Sequence, residues 1–212
     1  MMEKAFENPQ YGIYARVIKR CLDAALACAG LIILSPLFLV LIVIGAIEMQ
    51  GNPFFIQERP GKDEKIFKLV KFRTMTNKKD KEGKLLPDDQ RLTKYGKFLR
   101  STSLDEIPEL WNILTGDLAL IGPRPLLVKY LPLYTEYQHH RHDVRPGLTG
   151  YAQVHGRNHV SWEKKFEMDV WYVQHITFWG DLRIILDTVK TVLKKEGISS
   201  ETSMTMEEFK GE

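Results

Sequence analysis

The apolar and polar positions divide this chain into unlike stretches. From Ala24 to Ile47 runs AALACAGLIILSPLFLVLIVIGAI, 24 consecutive residues without a formal charge. A helix of that length extends about 36 Å at 1.5 Å per residue, enough for the roughly 30 Å hydrocarbon core of a bilayer. A buried core helix is the competing reading, but such helices ordinarily show apolar runs of only about 10 to 14 residues. A cleaved signal peptide fits less well, because the run begins after residue 23 and no convincing cleavage site follows it. The pattern predicts a membrane segment.

Ser35-Pro36 stands at the middle of that segment. Proline inside a helix removes a hydrogen bond and clashes with the preceding turn, so a kink is expected there. Each half then reaches only about 18 Å, roughly half the hydrocarbon thickness. Lys4, Arg16, Lys19 and Arg20 precede the segment, and Arg59, Lys62, Lys65, Lys68, Lys71 and Arg73 follow it. Basic residues favour the cytoplasmic side. A kinked spanning helix must send one of these sets across, whereas a re-entrant hairpin keeps both on one side.

Beyond Glu48 the pattern changes to that of a mixed polar domain. Residues 66–75 (IFKLVKFRTM) predict a strand whose alternation puts Phe67, Leu69, Lys71, Arg73 and Met75 on one face. Residues 77–90 read as a polar loop. A helix is predicted over 106–114, stopping at Thr115-Gly116-Asp117. Residues 182–195 place Leu182, Ile185, Leu186, Val189, Val192 and Leu193 on one helical face. That stripe suits a core, or, with Lys190, Lys194 and Lys195 beside it, an interfacial helix on anionic lipid.

Composition narrows the classes. With 212 residues, 44% of them hydrophobic and 27% charged, the chain is not disordered. Two cysteines cannot build a disulfide scaffold, and Cys21 and Cys28 read as small apolar residues. A net charge of +3 gives no case for nucleic acid as a partner. The charge is unevenly placed, however: residues 59–79 hold eight Lys/Arg against two acidic residues, directly after the apolar segment. That stretch suits anionic lipid or substrate phosphate.

GxGxxG, GxxxxGK[ST], HExxH and GxSxG are all absent from the chain. The HHRH cluster, His139, His140 and His142 around Arg141, reads as partly exposed residues rather than a metal site. The informative stretch is Arg100-Ser-Thr-Ser-Leu-Asp-Glu-Ile-Pro-Glu-Leu. Ser103-x-x-Glu106 has the form of a capping box. Pro108 argues against that start, since proline fits only where helical N–H groups are unpaired, and a start at Asp105 puts Pro108 at such a position. Asp105 and Glu106 are then adjacent carboxylates at a helix start, placed for a divalent cation or a phosphate-bearing substrate. An ionised aspartate is also a nucleophile toward phosphorus. In Gly122-Pro123-Arg124-Pro125, two prolines bracket an arginine in a preorganised setting for bidentate phosphate recognition. Arg145-Pro146-Gly147 and Gly156-Arg157 repeat the theme at two further turns.

In chain order, PGKDEKIFKLVKFRTM, RSTSLDEIPELWNILTGDLALIGPRPLLVKYLPLY, RHDVRPGLTGYAQVHGRN and SWEKKFEMDVWY resemble the pattern of bacterial monotopic phosphoglycosyl transferases, in their minimal catalytic form. The likeness covers roughly residues 16–200 and is nearest to the transferases that start N-linked glycan assembly with diacetylbacillosamine phosphate. The resemblance implies transfer of a sugar-1-phosphate from a UDP-sugar to undecaprenyl phosphate at the cytoplasmic face of the inner membrane, with release of UMP. It implies Asp105 as the nucleophile forming a covalent phosphosugar-aspartate. Glu106 is implied as its partner at Mg²⁺, with both carboxylates as metal ligands. Lys71, Arg100, Arg124 and Arg145 are implied around phosphate, with Arg157 and Asp169 as further substrate-binding residues. Ser35-Pro36 matches the family's membrane helix break and favours the hairpin.

The expected fold is α+β and mostly helical. It has a re-entrant helix-break-helix anchor over residues 1–50, a small cytoplasmic catalytic domain with interfacial amphipathic helices over 51–200, and a tail over 201–212. Thr102 and His155 depart from the family pattern. Two other functions compete: a membrane-associated glycosyltransferase, whose DxD metal motif is absent, and a non-catalytic adaptor, which gives Asp105, Glu106 and Arg124 no purpose.

Overall fold

The structure, a computed structural model, describes residues 6, 9, 11–156, 160–193 and 208–211. The apolar segment forms α1 (Lys19–Glu48), a 30-residue helix that follows a π-helical turn at Tyr14–Ile18. Pro36, where a break is expected, lies inside this helical segment. Pro36 has no N–H to offer the carbonyl of Ile32, four residues back. The Ser35 hydroxyl donates to that same carbonyl at 2.7 Å. The side chain thus satisfies the carbonyl that the proline leaves without a donor.

α1 is not a free rod. Lys19, Asp23, Ala27, Leu41 and Gly45 are buried along one stripe, while Ile32, Ile33, Leu39, Val43 and Ile47 on the other side are exposed. Next come β1 (Phe54–Pro60), which sequence patterning does not announce, and β2 (Ile66–Phe72). They pair antiparallel from Phe54↔Phe72 to Pro60↔Ile66. The strand expected over 66–75 stops at Phe72, and Met75 returns only as a single bridge to Leu92. Phe67, Leu69 and Lys71 share one face, as the alternation requires. Phe72, of opposite parity, is buried beside Leu41, Leu99 and Ile107.

The polar loop leads to α2 (Asp88–Arg91) and α3 (Lys94–Ser101), the latter capped by Thr93, whose Oγ1 accepts from the Gly96 N–H at 2.9 Å. Then follow α4 (Glu109–Thr115), β3 (Ala119–Ile121), α5 (Glu136–His139), β4 (Gly147–Thr149), α6 (Tyr151–His155), α7 (Trp162–Gln174) and α8 (Phe178–Leu193). β3 and β4 pair in parallel, Ala119 against Gly147 and Ile121 against Thr149. α4 ends at Gly116 with φ 95°, a left-handed position that glycine takes without strain, at the predicted stop.

Among the described residues, two of the four apolar clusters include α1. Ala27 packs with Phe67, Leu69, Ile113 and Leu118, and Leu41 packs with Phe72, Leu99 and Ile107. Polar contacts fix the helix near both ends. Lys19 Nζ meets Asp181 Oδ2 at 2.7 Å, and Arg20 donates to the carbonyls of Ile113 and Leu114 at 2.8 Å each. Farther along, the Tyr95 hydroxyl donates to the Leu41 carbonyl at 2.8 Å.

In α8 the packed side is Asp181 and Ile184, whereas Leu182, Leu186, Val189 and Val192 are exposed. These four members of the stripe therefore face outward, while Ile185 packs against the cluster of Ile121, Tyr172 and Ile184. Lys194 and Lys195, expected beside the stripe, lie outside the described residues. The architecture is a mostly helical α+β fold with one long apolar N-terminal helix of a length and composition compatible with a membrane anchor.

Candidate active site

The stretch carrying the adjacent carboxylates folds differently from either start considered for it. Ser103 is left-handed at φ 55° and makes no cap bond, so the capping box does not form. Leu104–Glu106 is a 3₁₀ turn, and α4 begins only at Glu109, with Pro108 as its N-cap. The bonds here run three residues back, Ile107 N–H to Leu104 O at 3.3 Å and Leu110 N–H to Ile107 O at 3.1 Å. The proline has no N–H for the longer ladder.

This turn delivers Asp105 and Glu106 into a cavity of about 1560 Å³ whose walls include Lys71, Arg100 and Arg124. Glu106 Oε1 accepts from Lys71 Nζ at 2.7 Å and from Arg124 Nη2 at 2.8 Å. Lys71 reaches it because β2 alternation turns it the same way as Phe67 and Leu69. Its ammonium also meets Glu109 Oε1 at 2.8 Å. Burial would raise the Glu106 pKa, but Arg124 and Lys71 hold it down at about 2. Glu109 is raised to about 7 by burial and by the neighbouring Glu106 charge. Asp105 is raised first by burial and then by Glu106, against the opposing charges of Lys71 and Arg100. Arg124 is raised by Glu106. Arg100 is aimed by its Nε, which donates to Thr74 Oγ1 at 3.1 Å.

The remaining expected residues sit elsewhere. Arg145 Nε donates to the Gly116 carbonyl at 2.8 Å, at the end of α4 and off the cavity wall. Asp169 is buried, and its Oδ2 accepts from Arg141 Nη2 at 2.7 Å. Arg141 Nη2 also donates to the Arg124 carbonyl at 2.7 Å, so Asp169 connects to the cavity through two arginines. Arg157 lies outside the described residues. Thr102 Oγ1 donates to the Phe98 carbonyl at 2.8 Å, and His155 stacks on Tyr151 with ring centres 4.1 Å apart.

Within HHRH, His139 and His140 are partly exposed as expected, but Arg141 and His142 are both buried. His142 Nδ1 donates to the Gly61 carbonyl at 3.1 Å, and burial pushes its pKa down to about 3, which keeps the ring neutral. Sequence reasoning passed over Glu109 and Arg141 alike. Glu109 stands only three residues beyond Glu106, and one helical turn of spacing was the available signal. Arg141 gave none, since an arginine among histidines has the look of surface.

Among the described residues no group of three or more His, Cys, Asp or Glu gathers for a metal ion. The adjacent carboxylates of Asp105 and Glu106 share the cavity wall with a third, Asp88, which is paired with Arg91. The cavity joins that polar floor to an apolar side formed by Leu26 and Leu34 of α1 and by Ile185, Val189 and Val192 of α8. A carboxylate pair among cations, open to an apolar wall, is equipped for an amphiphilic phosphate compound.

Comparison with known proteins agrees in kind. The model of the family described as bacterial sugar transferase matches residues 14–195. An uncharacterized sugar transferase of Bacillus subtilis, EpsL, is 51% identical over 195 residues, covering 92% of this chain and 96% of that protein. A UDP-glucose:undecaprenyl-phosphate glucose-1-phosphate transferase of Klebsiella pneumoniae is 40% identical over 195 residues, 87% of this chain and 42% of its own length. An undecaprenyl-phosphate galactose phosphotransferase of Salmonella typhimurium is 35% identical over 201 residues, 86% of this chain and again 42% of its own. The chain thus spans nearly all of the Bacillus relative and less than half of the two longer ones.

Proposed function

The chain belongs to the bacterial sugar transferase family, and on that premise we propose that it transfers a sugar-1-phosphate from a UDP-sugar to undecaprenyl phosphate, with release of UMP. The observation that carries this reading is the division of labour between the two carboxylates. Glu106 takes both ion pairs and stays ionised. Asp105 shares the cavity without a side-chain partner among the described residues, and its pKa is raised, which makes it the more basic and more nucleophilic carboxylate.

In the proposed first step an Asp105 oxygen attacks the β-phosphorus of the donor. The bond from that phosphorus to the bridging oxygen breaks, its electron pair leaves with UMP, and a phosphosugar-aspartate remains. In the second step an undecaprenyl phosphate oxygen attacks the same phosphorus. Asp105 leaves as carboxylate, giving undecaprenyl diphosphosugar. Lys71, Arg100 and Arg124 offset the phosphate charge that would otherwise repel an aspartate. Asp169 and Arg141 hold the backbone of Arg124, and Arg145 holds the end of α4. Arg157 is kept as a substrate-binding residue from the resemblance. Mg²⁺ ordinarily takes one or two protein carboxylates plus substrate phosphates, so the oxygen pair of Asp105 and Glu106 fits such a shared ion. Bound there, it would neutralise developing charge on the diphosphate.

The apolar side of the cavity suits the isoprenoid chain of the acceptor. Both halves of α1 are tied to one charged domain, Lys19 by Asp181 and Leu41 by Tyr95. That supports a re-entrant helix in the inner membrane, with its exposed apolar face in lipid and the domain on the cytoplasmic side. The proposed donor is an N-acetylamino sugar of the diacetylbacillosamine kind, on the sequence resemblance. Glucose and galactose, named for the relatives, are the competitors. The test is UMP release with undecaprenyl phosphate across a panel of UDP-sugars, with and without Mg²⁺. UDP release instead would indicate a glycosidic-bond enzyme.

A further inference from the structure

Arg59, on β1, stands on the wall of the same cavity, and among the described residues no carboxylate pairs with it. Its Nη1 donates to the Pro125 carbonyl at 3.1 Å and its Nη2 to Gln57 Oε1 at 2.7 Å, while its Nε is buried without a partner. Those two acceptors are neutral, so they aim the guanidinium without balancing its charge. The next cation is close along the chain. Pro125 follows Arg124, whose own counter-charge, Glu106, is shared with Lys71. Burial, and then the charge of Arg124, push the Arg59 pKa down, with the Glu109 charge opposing them only in part. Arg59 and Arg124 both line the cavity wall, and like charges sharing a wall are unfavourable in the free protein, so an anion between them relieves the repulsion.

We propose that Arg59 is a phosphate-binding residue, gripping with Arg124 a phosphoryl group of a substrate in the catalytic cavity. The inference rests on the proposed reaction only in naming the substrates. The donor brings two phosphoryl groups and the acceptor one, and the fork of Arg59 is suited to either.

The test uses the full chain in detergent, with Arg59→Gln and Arg59→Lys beside the wild type. UDP binding is measured by calorimetry, the Michaelis constant for undecaprenyl phosphate by UMP release, and integrity by thermal unfolding. Loss of one charge-assisted contact weakens binding by about tenfold to a hundredfold. If Arg59 holds the donor, UDP affinity falls by that factor in Arg59→Gln and is partly restored in Arg59→Lys, at unchanged melting temperature. If it holds the acceptor, UDP affinity stays and the Michaelis constant for undecaprenyl phosphate rises instead. Should Arg59→Gln fail to fold, Arg59→Lys decides, since it keeps a donor for Pro125 but loses the fork. Wild-type values for both ligands in the folded variants overturn the proposal. So do losses that appear only together with a lowered melting temperature, which would reduce Arg59 to a tie on Pro125. UDP binding does not require transfer, so this arm can fail or succeed independently of the covalent mechanism.

Discussion

Replacing Asp169 by alanine tests how the proline-bracketed arginine is held. Arg141 has a side chain only 1% exposed, packed against the rings of Tyr134 and Phe166 and paired with Asp169 at 2.7 Å. Removing the carboxylate strands a buried guanidinium, which costs about 3–5 kcal/mol. At 2–4 °C per kcal/mol for a chain of this size, the melting temperature should fall by roughly 6–20 °C. Thermal unfolding of detergent-solubilised protein, followed by tryptophan fluorescence, reads this directly. The double variant Asp169→Leu/Arg141→Met separates stability from positioning. Swapping a buried ion pair for apolar residues of similar volume is often neutral, so melting should recover most of the loss. Turnover should not recover, because the Arg124 carbonyl still lacks the donor that held it at 2.7 Å. Misplacing a substrate-positioning group costs up to roughly a hundredfold in rate. Full turnover in the double variant, or wild-type melting in Asp169→Ala, would refute the relay from Asp169 through Arg141 to Arg124.

Three other outcomes follow from the same geometry. Glu109, raised from an ordinary 4.5 to about 7, binds its proton more tightly folded than unfolded. Its contribution to stability is therefore complete below pH 4.5 and is lost as pH rises toward 7, and Glu109→Gln should remove that slope from urea-unfolding series. Glu106 has the opposite sign, its contribution being present above pH 4.5 and lost as pH falls toward 2. Asp181→Ala leaves Lys19 buried without its 2.7 Å partner and removes an acceptor from Tyr14 and Tyr172; it should cost about 3–5 kcal/mol and expose residues 14–20 to proteolysis. A Cβ at Gly96 would lie 2.0 Å from the Thr74 carbonyl, so Gly96→Ala should destabilise by about 1–3 kcal/mol or more. It should also slow transfer, since Thr74 aims Arg100, and melting and turnover measured together check both effects.

What was legible in the chain follows contact distance. The membrane-type helix, the strand at Ile66–Phe72, the stop at Gly116 and the apolar stripe of α8, though not the side it faces, are written in local periodicity or in a single turn residue. The convergence of Lys71, Glu106 and Arg124 was implied by the family resemblance, but only the fold sets it, across separations of 35 and 18 positions. β1 gave little signal because its faces are unevenly buried, and Phe55 and Ile56 are both exposed. β3 and β4 are three residues each and pair in parallel over a long connection, beyond any local pattern. Arg141 was misread for the same reason: its partner Asp169 is 28 positions away, so the charge balance that permits its burial cannot be seen in HHRH. At Pro36 the missing N–H was legible from the residue alone, and the Ser35 hydroxyl takes up the carbonyl it leaves free.

The most direct test of the account is intact-protein mass spectrometry after exposure to a UDP-sugar that supports turnover, with no acceptor present. The account predicts UMP release at a stoichiometry of about one per chain and a mass increase of one sugar phosphate on the peptide holding Asp105. Asp105→Asn should show neither, and adding undecaprenyl phosphate should discharge the adduct. UMP release that depends strictly on the acceptor, with no adduct on the wild-type protein, would contradict it.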